Sequence, residues 1–251
     1  MAQRLTVEEA AATYAAAMRS VLPLGPGVCE ICHAFIDPER YMRCLRCARD
    51  VQYLDAVVPI TYSLHYEQMH TVLRGYKDGP LRDQTFMMAR LAAILWRFLE
   101  LHESCVARAA GVEGFDVVAT VPSSTSQRDQ VSNLRTLAGW CAPISDRLER
   151  LLEPTGDVVG RSFSTSRYRA VRPLVGERVL LLDDTWTAGG HAQSAGFTLK
   201  DNGGRAVALV AIGRHLQRAW IPAVPDGPTC AELWEGLPRA FDSSACAVHG
   251  R

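Results

Sequence analysis

Two neighbouring carboxylates at the end of an apolar run are the residues of this chain best suited to chemistry. Residues 179–182 are Val-Leu-Leu-Leu, typical of a buried strand, and Asp183 and Asp184 follow directly. In an open parallel sheet the carboxyl ends of the strands face the ligand crevice, so we expect both side chains to point at a ligand. Carboxylates accept hydrogen bonds from vicinal sugar hydroxyls or coordinate magnesium. A solvated acidic turn after an ordinary strand is the alternative interpretation.

The segment after the two acids has the composition of a phosphate-binding loop. Small residues let backbone N–H groups approach a phosphate, and the N-terminus of the helix predicted over residues 191–201 adds partial positive charge. The residues of this candidate loop are Thr187, Ala188, Gly189, Gly190 and His191. The pattern favours a site in which the acids bind one part of a ligand and the loop binds its phosphate.

Four cysteines have the spacing of a metal site. Cys29 and Cys32 form one Cys-x2-Cys pair, Cys44 and Cys47 form a second, and 11 residues separate the pairs. Two such pairs make the tetrahedral sulfur cage that zinc prefers. Disulfides are the alternative, but a cytosolic chain is kept reduced. We predict a closed zinc site whose role is folding, because so short a segment cannot build its own core.

The other cysteines are less clearly patterned. Cys230, Cys246 and His249 in the C-terminal tail supply three candidate ligands for a second metal ion, with surface or core thiols as the alternative. Cys105 and Cys141 stand alone in apolar, helix-like surroundings, so we expect them to be packing residues.

Taken together, these motifs resemble the signature of the phosphoribosyltransferases: four apolar residues, two acids, two further residues and a Thr/Gly loop. The chain is most similar to the ComF-type, competence-associated branch of the type I phosphoribosyltransferases, which also carries an N-terminal four-cysteine zinc module. A segment like residues 75–79, Gly-Tyr-Lys-Asp-Gly, likewise precedes the core in that family. The resemblance covers residues 27–215.

The resemblance implies an activity and roles for the residues. The protein would bind 5-phosphoribosyl 1-diphosphate with magnesium and transfer the phosphoribosyl group to a base or amine. Asp183 and Asp184 would hold the ribose hydroxyls, and the loop would surround the 5-phosphate. The family usually has Thr where this chain has Ala188, and Thr or Ser where it has His191. Backbone donors survive both changes, and a protonated His191 would replace one lost hydrogen bond.

A serine-rich turn lies where the family has its pyrophosphate loop. Ser123 and Ser124 follow the predicted strand at residues 117–121, and Arg128 adds positive charge. Exposed N–H and hydroxyl donors suit pyrophosphate oxygens. A plain serine-rich turn is the competing interpretation.

Residues 161–172 contain four arginines and no acids. In the family this stretch resembles a mobile loop that closes over the diphosphate, which assigns Arg167 and Arg169 to phosphate oxygens. Interleaved Phe163 and Tyr168 also suit an arm that stacks on single-stranded nucleic acid. The equal numbers of basic and acidic residues, 27 each, do not favour nucleic acid as a partner. A solvated surface strand is the third interpretation.

The elements that must position these residues indicate an α/β fold. Apolar runs at residues 57–60, 117–121, 179–182 and 206–212 predict buried strands, and residues 81–103 and 191–201 predict helices. We expect a type I phosphoribosyltransferase-like parallel sheet flanked by helices, with a small N-terminal zinc module. The expected division is residues 1–24 as a helix, 25–52 as the zinc module, 53–221 as the α/β domain and 222–251 as a tail.

Composition limits the remaining choices. The chain has 251 residues and a formal net charge of zero, so any anion site must be local. Thr6 and Glu9 form a predicted helix capping box at an acidic N-terminus, unlike a secretory signal. We therefore expect a cytoplasmic protein without a membrane span. The rival function is a non-catalytic accessory protein that senses a sugar phosphate or handles DNA and docks a protein partner through its zinc module.

Overall fold

Four parallel strands form the central sheet, in the order β1-β6-β5-β2. The computed structural model describes residues 5–123, 126–157, 160–217, 230–238 and 241–248. Its strands are β1 (Ala56–Leu64), β2 (Val117–Thr120), β3 (Leu152–Pro154), β4 (Tyr168–Ala170), β5 (Arg178–Trp186) and β6 (Ala206–Leu216). Strands β3 and β4 pair separately as an antiparallel ribbon. All four predicted strands are confirmed as members of the parallel sheet.

Three of the strands extend beyond their apolar runs because pairing with a neighbour, and not hydrophobicity, decides where a strand ends. Strand β5 continues through both aspartates to Trp186, since Asp183 lies opposite Ala211 and Thr185 opposite Gly213 of β6. All residues of the inner strand β6 are buried, as expected for a strand covered on both faces, and those of the edge strand β1 are buried as well. The acids therefore lie within β5 and not in a turn after it.

Helices flank the sheet. They are α1 (Val7–Ala12), α2 (Leu45–Arg49), α3 (Gln68–Asp78), α4 (Leu81–Ala109), α5 (Ser126–Gln130), α6 (Asn133–Gly139), α7 (Gly190–Asp201) and α8 (Cys230–Gly236). Both α3 and α4 contact β1 and β6, whereas α7 contacts β5 and β6. The predicted helices at 81–103 and 191–201 are confirmed as α4 and α7, and Gly203 adopts the expected positive φ of +99° after α7.

The N-terminal helix is shorter than the sequence predicts. The capping box is present, with the Thr6 side chain accepting from Glu9 N and Glu9 accepting from Thr6 N. However, α1 ends at Ala12 and a short 3₁₀ turn follows at Ala15–Ala17. The chain then leaves the helical path because the backbone of Arg19 pairs with the edge of β1, where Tyr62 N donates to Arg19 O at 3.0 Å.

The four-cysteine module packs into the same hydrophobic core as the sheet. Phe35 contacts Tyr62 of β1 with ring centroids 5.2 Å apart, and the Tyr62 hydroxyl donates to His33 O at 2.8 Å. Cys29 and Cys32 are fully buried within this core. Among the described residues, none of the helices combines the length and apolar content that a bilayer crossing requires.

Candidate functional site

A cavity of about 770 Å³ opens at the carboxyl edge of the parallel sheet. This is the edge at which ligands bind in open α/β sheets. The predicted site residues that line it are Asp183, Asp184, Thr187, Ala188, Gly189, Gly190, His191, Ser123 and Arg128. The structure thus gathers residues from β5, the start of α7 and the region after β2 around one space.

The two aspartates reach this cavity from opposite faces of β5. Consecutive strand residues point to opposite faces, and Asp183 is partly exposed while Asp184 is buried. Both still line the cavity because it opens around the end of the strand. The expectation that both carboxylates point at one ligand therefore holds only for a ligand that spans the strand end.

Asp184 is held by two residues from the last turn of α3. The Tyr76 hydroxyl donates to Asp184 Oδ2 at 2.7 Å, and Lys77 forms an ion pair with the same oxygen. Burial and the charge of Asp184 raise the pKa of Tyr76, so its hydroxyl stays protonated and donates. Lys77 lies in the last turn of α3, which extends to Asp78, and this helix positions it beside the acid.

Asp183 has an unusual protonation equilibrium. Desolvation of its carboxylate, together with the negative charge of Asp184, raises the pKa of Asp183 to about 8. Lys77 opposes this shift. Near neutral pH the Asp183 carboxyl therefore keeps its proton in the absence of a cation.

The loop between β5 and α7 depends on its glycines. Gly189 caps α7 with φ of +83°, and a Cβ there would lie 2.4 Å from the Trp186 ring. A Cβ on Gly190 would lie 2.2 Å from Arg161 O. No side-chain hydrogen bond caps the helix, and the residues of its first turn, Gly190 to Ala192, line the cavity. Only glycine fits both positions, and the resulting geometry suits an anion.

His191 does not match the predicted role of a protonated phosphate donor. Burial and the neighbouring positive charge of Arg167 lower its pKa, so the imidazole is neutral near pH 7. Its Nε2 lies 3.3 Å from Gly160 O, and its Nδ1 lies 3.4 Å from the Tyr168 hydroxyl. His191 therefore ties segment 160–168 to the start of α7.

The predicted pyrophosphate turn is placed only in part. Ser123 lines the cavity after β2, whereas Ser124 lies outside the described residues. Arg128 of α5 also lines the cavity but is 70% exposed, with Asp78 3.8 Å away.

The arginines of segment 161–172 divide between two environments. Arg169 pairs with Glu153 across the β3–β4 ribbon and does not line the cavity. Arg167 is buried behind the loop, where its Nη2 donates to Ser162 O at 2.7 Å. Arg161 is the arginine of this segment that lines the cavity. The predicted direct contact of Arg167 and Arg169 with phosphate is therefore corrected. Pairing across the ribbon keeps Arg169 out of the cavity, and burial keeps Arg167 out of it.

Three histidines that the sequence analysis missed form one wall of the cavity. The ring centroids of His70 and His215 lie 5.0 Å apart, and His65 packs edge-on against both. Burial and the neighbouring imidazoles lower the pKa of His215 to about 4, and burial and His65 lower the pKa of His70, so these two rings are neutral near pH 7. Their positions in the sequence could have indicated them. His65 directly follows β1, and His215 lies near the carboxyl end of β6, the strand that pairs with β1.

The four predicted zinc ligands lie together. The sulfurs of Cys29, Cys32, Cys44 and Cys47 are all within 4.8 Å of one another. The Cys32 and Cys44 sulfurs are 3.7 Å apart. Two sulfurs bound tetrahedrally at zinc–sulfur distances of about 2.3 Å would be separated by about 3.8 Å. The cluster can therefore hold a zinc ion.

A buried arginine connects this cluster to the loop. Arg214 of β6 donates through Nε to Cys32 O at 2.7 Å and through Nη2 to Cys32 Sγ at 3.3 Å. Its Nη1 lies 3.2 Å from Trp186 O and 3.3 Å from Thr187 O. A zinc ion with four thiolates carries a net negative charge, which would compensate this buried guanidinium.

The cysteines outside the cluster are arranged differently from the prediction. Cys246 lies beside His102 and Cys105 of α4, with the three ligand atoms within 4.8 Å of one another. The side chain of Cys230 and the whole of His249 lie outside the described residues. Cys141 is buried and donates to Ala92 O at 3.3 Å, as a packing residue would.

Comparison with models of known protein families gives no match for this chain. Comparison with curated proteins gives no match either. The site must therefore be interpreted from its own geometry, and the family resemblance stays a prediction.

Proposed function

We propose that this protein binds 5-phosphoribosyl 1-diphosphate in the cavity and transfers the phosphoribosyl group to a nitrogenous base or amine. One observation carries the proposal: the same cavity at the carboxyl edge of a parallel sheet contains the two aspartates of β5 and the glycine-lined start of α7. Carboxylates suit a sugar diol, and uncapped N–H groups at a helix start suit a phosphate.

Each group would act on a different part of the substrate. The N–H groups at Gly189 and Gly190 would bind the 5-phosphate, and Arg167 buried behind them would add positive potential. Asp183 and Asp184 would accept from the ribose hydroxyls. The bond from C1 to the diphosphate oxygen would break with its electron pair leaving on the diphosphate, and the acceptor nitrogen would bond to C1. Arg161 and Arg128, which also line the cavity, would stabilise the departing charge.

Magnesium belongs to the proposal as a companion of the diphosphate, where it would neutralise charge on the leaving group. The oxygen donors of the two aspartates match this hard cation in chemistry. The histidine wall, formed by His65, His70 and His215, would offer planar aromatic surfaces for a base acceptor.

Calorimetry with 5-phosphoribosyl 1-diphosphate and magnesium tests the proposed ligand. The wild-type protein should release binding heat, and the Asp183→Asn, Asp184→Asn double variant should bind at least about tenfold more weakly, equal to about 1.4 kcal/mol. Asp116→Asn is the matched control, because Asp116 pairs with Arg178 at the opposite edge of the sheet. Absence of binding to the wild type, or equal binding by all three proteins, rejects the proposal.

A non-catalytic sensor or DNA-handling accessory protein is the second candidate. Lys77 and Tyr76 already satisfy Asp184, and the loop lacks a hydroxyl at Ala188. Both features favour ligand binding without catalytic turnover. In such a protein the four-cysteine module would dock a protein partner. Diphosphate release in the presence of a panel of bases and amines separates the candidates: binding without release supports the accessory role.

A further inference from the structure

We propose that His102, Cys105 and Cys246 form a second metal site, of the zinc class, that fastens the C-terminal segment to α4. The three ligand atoms lie within 4.8 Å of one another, far from the four-cysteine cluster in sequence. His102 and Cys105 come from α4, and Cys246 comes from the segment at residues 241–248. This inference is independent of the proposed transferase activity.

The two residues on α4 are correctly spaced for one metal ion. Residues three apart on a helix lie on the same face, so His102 and Cys105 project side by side. They are 2% and 7% exposed, respectively, which shields a metal from bulk water. Cys246 supplies the third ligand atom, within 4.8 Å of the other two.

The hydrogen bond of His102 matches that of a metal ligand. Its Nε2 lies 2.9 Å from Ser243 O, a carbonyl of the same C-terminal segment. A carbonyl can only accept, so Nε2 carries the proton and Nδ1 carries the lone pair of the neutral ring. Metal-bound histidines usually donate their second ring N–H to a carbonyl or carboxylate in this way. We therefore assign Nδ1 as the ligand atom.

The ligand set selects the metal class. One imidazole and two thiolates suit zinc and disfavour magnesium or calcium, which prefer oxygen donors. Three protein ligands leave the fourth tetrahedral position for water. Binding would displace the two thiol protons to solvent as the thiolates coordinate the ion.

Such a site would explain how a segment without regular structure is held in the core. Ala247 and Val248 are 2% and 3% exposed, and Asp242 N donates to Ser20 Oγ at 3.1 Å. A metal bond between Cys246 and α4 would anchor these contacts, since it contributes more than the few apolar atoms alone.

Metal analysis of the full-length protein, purified reduced and without chelators, tests this site. The wild type should contain one more equivalent of zinc than either Cys105→Ala or Cys246→Ala. Cys141→Ala is the control, since it removes a buried thiol outside both clusters and should leave the zinc content unchanged. Cobalt substitution should show less sulfur-to-cobalt absorption in the two test variants than in the control.

Equal zinc content in the wild type and both test variants overturns the site. A disulfide between Cys105 and Cys246 in peptide maps of protein kept under nitrogen also overturns it, because bridged sulfurs cannot supply both thiolates. If Cys105→Ala fails to fold, the zinc content of Cys246→Ala, which alters a partly exposed residue, tests the site by itself.

Discussion

At the scale of single residues, the site depends on two aspartates in different environments. Asp184 is buried and bound by Tyr76 and Lys77, whereas Asp183 is partly exposed to the cavity with a pKa of about 8. In the proposed function both carboxyl groups would accept from the sugar diol, and the protonated form of Asp183 would also donate. This difference arises from β5, which turns the two side chains to opposite faces.

The raised pKa of Asp183 predicts the pH dependence of stability. An unfolded aspartate has a pKa of about 4. Between pH 4 and 8 the folded chain keeps a proton that the unfolded chain has lost, so stability from this group falls as pH rises. Asp183→Asn removes this effect and should be more stable than wild type by on the order of 1 kcal/mol above pH 8, with little difference near pH 4. Urea unfolding across this range measures it.

Asp116 provides a control, because its pKa is shifted in the opposite direction to that of Asp183. Hydrogen bonds from Arg178 lower its pKa to about 2, so its stabilising contribution is present above pH 4 and is lost as pH falls towards 2. Asp116→Asn should therefore lower stability at neutral pH. If Asp183→Asn shows the same pH profile as Asp116→Asn, the proposed environment of Asp183 is wrong.

Gly189 is expected to be intolerant of a side chain. Gly189→Ala combines a φ of +83° with a Cβ 2.4 Å from Trp186, so it should lower stability by about 1–3 kcal/mol and weaken phosphate binding. Gly114→Ala is the matched control, because a Cβ there meets nothing within 4 Å. Denaturant unfolding and calorimetry measure both effects. Equal behaviour of the two variants would show that the loop can relax around the new methyl group.

At the scale of elements, Arg214 near the end of β6 contacts both the end of β5 and the cysteine cluster. One guanidinium bonds carbonyls from the module and from the loop, so it joins two parts that the sequence separates by more than 130 residues. Such a residue positions the loop without contacting a ligand.

Arg214→Lys should lose most of the hydrogen bonds that join the module to the loop, because an ammonium group cannot reach the same set of acceptors. We expect a loss of about 2–4 kcal/mol of stability. Arg172→Lys, which alters an exposed ion-paired arginine, should cost less than about 1 kcal/mol. Amide hydrogen exchange should also show faster exchange at residues 186–191 in Arg214→Lys alone. Unchanged exchange there would contradict the positioning role.

At the scale of the whole molecule, the four-cysteine module and the sheet share one hydrophobic core. Tyr62 and Phe35 pack across their junction, and the module covers the region around β1 and β6. Loss of the metal should therefore affect more than residues 25–52.

Chelation of zinc should lower the free energy of unfolding by several kcal/mol, because the four thiols no longer share a cation. Cys44→Ser should show much of the same loss without chelator, which separates this site from the His102 cluster. Urea unfolding followed by near-ultraviolet circular dichroism measures the change, with zinc-saturated chelator as the control. An identical transition with and without chelator would mean that the module folds without metal.

The sequence alone determined the four core strands, helices α4 and α7, the glycines at the junction of β5 and α7, and the cysteine cluster. Each of these depends on local information: apolar periodicity, residues that permit positive φ, or short ligand spacing. Tertiary structure decided how far β5 extends, the partners of Asp184, the burial of Arg167, and the meeting of Cys246 with His102 and Cys105. These features depend on contacts between residues distant in sequence, because strand pairing and core packing, not local propensity, place the side chains involved.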